Sequence, residues 1–82
     1  MNSIKIVAEI TPIPSYVKDG CYVPEEVCID MVSDERKTGN HVWATGSDER
    51  EAIKNFIKQA KITFKKDEIK LILTRDVQEV SG

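Results

Sequence analysis

At 82 residues the chain has room for one small domain, which buries roughly 60–65% of its unfolded surface and leaves little volume for a deep substrate cavity. Hydrophobic residues make up 40% and charged residues 32%, with 12 Lys and Arg against 14 Asp and Glu for a net charge of −2, a composition that excludes a disordered tail or a membrane protein. No apolar run approaches the roughly 20 residues that span a bilayer, and Met1-Asn2-Ser3-Ile4-Lys5 has neither an apolar signal core nor a cleavage site, so a cytoplasmic location is expected.

Residues 4–10 alternate, with Ile4, Ile6, Ala8 and Ile10 on one side and Lys5, Val7 and Glu9 on the other, the period of a half-buried strand. Pro12 and Pro14 are expected to stop its regular pairing, because neither donates a ladder hydrogen bond. Asp19-Gly20, between Tyr16-Val17-Lys18 and Cys21-Tyr22-Val23, is a hairpin signal, since both turn residues tolerate positive φ; here the first strand resumes past the prolines and folds back. Val27, Ile29 and Met31 alternate with Cys28, Asp30 and Val32 in a second strand. A helix over 25–37 is the alternative, which the β-branched residues and the two-residue period disfavour. The polar stretch from Asp34 to Asn40 reads as a hairpin loop into a short third strand, His41 to Thr45.

Gly46 ends that strand, and Ser47 or Asp48 caps a helix, with Glu51 at capping-box spacing from Asp48 and acids in the first turn, where the helix dipole is positive. Ile53, Phe56, Ile57 and Ala60 form its core stripe, extended by Ile62 to Phe64. A fourth strand alternates Ile69, Leu71 and Leu73 with Lys70, Ile72 and Thr74; Val77 and Val80 prolong it before Ser81-Gly82 frays. The expected fold is therefore a single α+β domain over 1–82 in the order β-β-β-α-β. Its mainly antiparallel four-stranded sheet carries one helix on one face, and its last strand lies parallel to the first.

Catalytic candidates are sparse. His41 is the only imidazole, and the pairing the topology offers it is with Cys28 across the second and third strands; an exposed strand-end histidine is the plainer reading. The carboxylate pairs Glu25-Glu26, Asp34-Glu35 and Asp48-Glu49 fall in turns or caps, where water keeps both members ionised, whereas acid–base work needs one of them desolvated. The two cysteines, Cys21 and Cys28, and the one histidine lack the four ligands and the spacing of structural zinc, and no glycine loop is built to cradle phosphate. Neither an enzyme, a metal nor a cofactor is expected.

Charge divides along the chain: residues 1–52 carry net −5 and residues 53–82 net +3. On the helix, Arg50, Lys54, Lys58, Lys61 and Lys65 form one stripe opposite the apolar face. It is suited to phosphates or to an acidic partner, or else simply solvated. Aromatic residues are only 6% and do not interleave with this stripe, so nucleic-acid binding is allowed but not favoured.

The sheet face away from the helix should carry Val7, Cys28, Val32 and Ile72, with either Trp43 or its neighbours Val42 and Ala44, among Lys5, Glu9, Asp30, Lys70 and Thr74. A solvated face reads polar; an apolar centre rimmed by charge is the pattern of an interface, for a homodimer or a protein target, unless long Lys and Glu stems merely shield it.

Gly46-Ser47-Asp48-Glu49-Arg50-Glu51-Ala52-Ile53-Lys54-Asn55-Phe56 resembles the start of the helix in HicB-type antitoxins, where a strand ends at Gly, a cap follows, and Glu-Ala-aliphatic-x-Asn-apolar comes next. Asp19-Gly20-Cys21-Tyr22-Val23 is similar to that family's Asp-Gly hairpin, and the β-β-β-α-β order is shared. The matches cover about 16 residues, counted over these two stretches. The family's Pro-rich stretch ending in Gly-Cys is replaced by the loop from Asp34 to Asn40, and no C-terminal DNA-binding segment is expected after residue 82.

The resemblance implies a role in neutralising a partner. The expected function is a non-catalytic inhibitor of a larger protein or nucleoprotein, either antitoxin-like or an anti-defence protein such as an anti-CRISPR. Asp34, Glu35, Asp48 and Glu49 would then stand in for phosphates in the target's groove. The alternative is a small RNA- or DNA-binding module using the basic helix stripe.

Overall fold

The computed structural model describes residues 2–75. Alternating apolar residues draw out a long first strand, β1 (Ser3–Ile13), whose Ile4, Ile6, Ala8 and Ile10 are buried. A small hairpin follows, β2 (Tyr16–Lys18) and β3 (Cys21–Val23), and then β4 (Glu26–Asp34), β5 (Trp43–Gly46), α1 (Glu49–Phe64) and β6 (Glu68–Arg75). The main sheet has the order β5-β4-β1-β6, antiparallel except for the parallel pair β1–β6. This is the expected α+β fold: a four-stranded, mainly antiparallel sheet with one helix on one face. The antiparallel steps from β1 to β4 to β5 make β5 and β6 point the same way, so α1 crosses β4 and β1 to connect them and covers the inner face on its way.

Pro12 does not end the first strand; it pairs with Val27, and pairing runs on to Ile13 opposite Glu26. The β1–β6 register among the described residues runs from Ser3 to Ile10. The expected return of the first strand is instead a separate two-stranded sheet. Its Asp19-Gly20 turn has φ of 53° and 77°, the two positive values of a type I′ turn.

The third strand begins at Trp43 rather than His41, although Met31 N–H still donates to the Val42 carbonyl at 2.9 Å. Residues 35–42 are held by Asp34 instead of by a tight hairpin. The Asp34 carboxylate accepts from the amides of Arg36 and Thr38 and from the Thr38 hydroxyl.

The helix starts as its cap predicts: Asp48 accepts from Glu51 N–H at 2.8 Å, while Glu51 reaches back to the amide and hydroxyl of Ser47. Its core stripe is rotated from the expected one. Ala52, Phe56 and Ala60 are buried, Ile53 and Ile57 are half-buried, and Ile62 is 63% exposed rather than part of the core. The cause is close approach at Gly46, where even a Cβ would lie 2.4 Å from the Ala52 amide nitrogen; only small side chains fit that side. Ile53 and Phe64 fill the wider side with Ile69, Leu71 and Leu73. Asn55, on the β5 side, donates to the Thr45 carbonyl at 2.9 Å and ties the helix to the strand. The expected continuation through Val77 and Val80, and the fraying of Ser81-Gly82, lie outside the described residues. No helix among the described residues is long and apolar enough to cross a membrane.

Candidate partner-binding site

The hairpin arm carries three of the exposed large apolar side chains among the described residues, Tyr16, Val17 and Tyr22. Pro12 and Pro14 on one side and Pro24 on the other bracket it, and Asp19-Gly20 folds it back on itself. Tyr16, Val17 and Tyr22 are 50%, 70% and 69% exposed. The substantial contacts of β2 and β3 are with each other. Val17 lies opposite Tyr22, and Tyr16 opposite Val23, so each face of the ribbon presents an aromatic ring beside a valine. The Cα radius of gyration is 14.5 Å. A compact chain of this length would have about 12 Å, a difference consistent with a projecting arm. Sequence reasoning treated 16–23 as strand continuation and missed these residues; the available signal was an Asp-Gly turn fenced by prolines with no alternating apolar face to bury.

The four carboxylates expected to act together are dispersed. Gly46 pairs with Val27, which places Asp48 and Glu49 near the start of β4, whereas Asp34 and Glu35 lie at its other end. Val27 to Asp34 is seven residues, about 23 Å of strand. Asp34 is only 6% exposed. Burial alone would raise its carboxyl, but hydrogen bonds from Thr38, Arg36 and Lys37 outweigh that and hold it below the usual range. Glu35 accepts from Lys5 N–H at 2.9 Å, and Asp48 is the helix cap. These acids serve local structure first. Asp48 and Glu49 share their end of the sheet with the arm, because Val27 also pairs with Pro12.

On the open sheet face, Val32, Trp43 and Ile72 are exposed and Val7 and Cys28 half-buried, while Val42 and Ala44 point inward, so Trp43 is the β5 residue displayed. The register arranges this face in rows. Lys5 lies between Lys70 and Glu35; Val7 lies opposite Ile72 and Ser33, with Val32 beside them at a bulge; Glu9 lies opposite Asp30 and Thr74, with Trp43 beyond Asp30. The basic helix stripe is as expected: Arg50, Lys54, Lys58, Lys61 and Lys65 are all exposed.

His41 Nε2 contacts Asp30 Oδ1 at 2.6 Å, which directs the imidazole to a carboxylate rather than to Cys28. Partial burial, together with the negative charges of Asp30 and Glu26, pushes the Cys28 thiol up, against thiolate formation. An open groove of about 420 Å³ runs between β5 and α1 past His41, Trp43, Asn55, Gln59 and Thr63, and a second of about 370 Å³ lies by Asp34 and Gly39. Ser33 and His41 both line the second groove, but His41 is engaged by Asp30 and the Ser33 hydroxyl makes no hydrogen bond to it. Among the described residues no group of three or more His, Cys, Asp or Glu side chains is arranged to hold a metal ion. Comparison with protein-family models, curated proteins and solved structures finds no match to this chain.

Proposed function

We propose that the chain is a cytoplasmic, non-catalytic binding protein that inhibits a larger protein or nucleoprotein, as HicB-like antitoxins and phage or plasmid anti-defence proteins do. One observation carries this reading: an arm whose substantial contacts are all internal holds Tyr16, Val17 and Tyr22 in solvent. Exposed large apolar side chains cost solubility unless something covers them, and tyrosine is favoured where one end is apolar and the other wet. A two-stranded ribbon is marginal alone and gains order on a partner. Asp48 and Glu49 at the same end add negative charge suited to a target surface that otherwise meets nucleic acid.

The test is affinity purification from the native host with the wild type and with a Tyr16→Ser, Val17→Ser, Tyr22→Ser triple variant of unchanged circular dichroism. Loss of the captured target in the variant supports the reading; full retention removes the arm as the binding element. Reversal of Asp48 and Glu49 reads the electrostatic share.

A second reading, nucleic-acid binding, draws on Arg50, Lys54, Lys58, Lys61 and Lys65, which are exposed along one side of α1 without an ion-pair partner among the described residues. It requires a complex in low-salt gel shifts that dissolves steeply as salt rises, by counterion release. Absence of any complex at low salt ends it.

A further inference from the structure

Strand β5 is an outermost strand of the main sheet, with β4 on one side only. Met31 N–H donates to the Val42 carbonyl, so Val42 turns its backbone groups toward β4. Antiparallel ladders alternate. Along this register Ala44 and Gly46 therefore also turn toward β4, while Trp43 and Thr45 turn away from the sheet. The bond from Asn55 to the Thr45 carbonyl fits that alternation, because this oxygen is not spent on β4. The Trp43 N–H, the Trp43 carbonyl and the Thr45 N–H are left without a hydrogen bond among the described residues.

Helix α1 forms the other wall of the groove of about 420 Å³ beside this edge, through Asn55, Gln59 and Thr63. Four helical residues rise about 6 Å and two strand residues about 6.7 Å, so this helical line keeps step with the outward-turned residues of β5. The line carries no charge, whereas every other exposed residue of α1 except Ile62 is charged. The Gln59 and Thr63 side chains are exposed and make no hydrogen bond among the described residues.

We propose that this groove receives an extended segment of a partner protein, which adds to β5 as a fifth, antiparallel strand. The guest residue opposite Trp43 exchanges two backbone hydrogen bonds with it, and the residue two places earlier accepts from Thr45 N–H. Opposed residues share a face, so the side chain opposite Trp43 lies beside an indole that is 60% exposed. Its two neighbours point into the groove, toward Asn55, Gln59 and Thr63. The segment that fits is apolar opposite Trp43 and carries uncharged hydrogen-bonding side chains on either side. A second copy fits poorly. Helix α1 lies over β5, tied by the Gly46–Ala52 approach and the Asn55 bond. Pairing two β5 strands would set the helices roughly 5 Å apart, short of the roughly 8–10 Å that packed helices need. The arm residues are not part of this edge, so this site is independent of the arm's partner.

The experiment is nitrogen–proton correlation NMR of the full chain, titrated with a capped peptide of alternating Thr and Val between terminal lysines, up to about 2 mM, as suits a short unconstrained ligand. Saturable shifts are expected at the Trp43 and Thr45 amides and in the Gln59 side chain. Thr45→Pro deletes an outward N–H at an edge where proline is tolerated, and should weaken binding at least about tenfold. Methylating the valine nitrogens of the peptide, which face Trp43, should abolish binding, whereas methylating its threonine nitrogens, which face away, should not. This peptide pair decides the matter should Thr45→Pro fold poorly. No shift at Trp43 and Thr45, or equal effects of the two methylations, overturns the assignment. So does a free chain that sediments as a dimer with those two amides already protected from exchange, because a second copy then holds the edge. The arm triple variant should bind the peptide as the wild type does, which separates this result from the fate of the proposed function.

Discussion

Gly46→Ala tests whether the helix is seated as closely on β5 as the structure requires. A Cβ at Gly46 would lie 2.4 Å from the Ala52 nitrogen, 2.8 Å from the Glu51 carbonyl carbon and 2.9 Å from the Ala52 Cα. All three are backbone atoms, so no side chain can swing away. The first turn must move, and it carries Ala52 and, one turn on, Phe56, both with no exposed surface. Overpacking of this kind costs about 2 kcal/mol. Alanine recovers about 0.5 kcal/mol by restricting the unfolded chain. The expected net loss is about 1.5 kcal/mol, or about 6–12 °C in Tm for a domain of this size, read by thermal circular dichroism. Gly20→Ala is the control. It strains a positive φ of 77° with no atom within 4 Å, in an arm that the core does not need, so the global Tm should hardly change. A Gly46→Ala protein as stable as the wild type, or more so, refutes the close seating and with it the explanation for the rotated core stripe.

Asp34 supplies acid sensitivity. Its folded carboxyl titrates below the unfolded value, so its contribution is present above the unfolded pKa of about 3.9 and is lost as pH falls through the lower folded value. Asp34→Asn should cost about 1.5–3 kcal/mol at pH 7, and the two urea-derived stability curves should converge below about pH 4. Lys65 caps the helix at φ 55°, a left-handed conformation that glycine adopts without strain, so Lys65→Gly should raise stability by about 1 kcal/mol in the same assay. Asn55→Ala removes the bond to the Thr45 carbonyl and should cost about 1 kcal/mol. The arm triple variant, whose side chains lie outside the core cluster, should unfold within about 0.5 kcal/mol of the wild type.

The inner face was legible because period-two burial in β1 and β4 and the Asp48 cap are local rules read residue by residue. The parallel placement of β6 followed from the preference for short, right-handed crossovers. What escaped the sequence depends on proximity between distant elements. The rotation of the helix is dictated by Gly46 meeting Ala52, a contact no periodicity encodes. Pro12 sits in a strand because pairing with β4 carries on past it, to Ile13 opposite Glu26, a partner 14 residues away that no local rule supplies. Asp34 looked like a surface charge, yet it folds its own loop inward, since an aspartate can capture amides two and four residues on. The open-face residues were identified by alternation alone, whereas which of them lie opposite one another needed the strand register.

The register also identifies a pair that works against the chain itself. Glu9 lies opposite Asp30, so Glu9→Lys replaces a like-charged neighbour with an opposite one. Cross-strand pairs of this kind are worth about 0.2–1 kcal/mol, and the protein should become more stable by about that amount in urea unfolding. Unchanged stability would mean that Glu9 does no more than face solvent, and a loss would mean that it supports the fold; either outcome refutes the pairing as an unfavourable one.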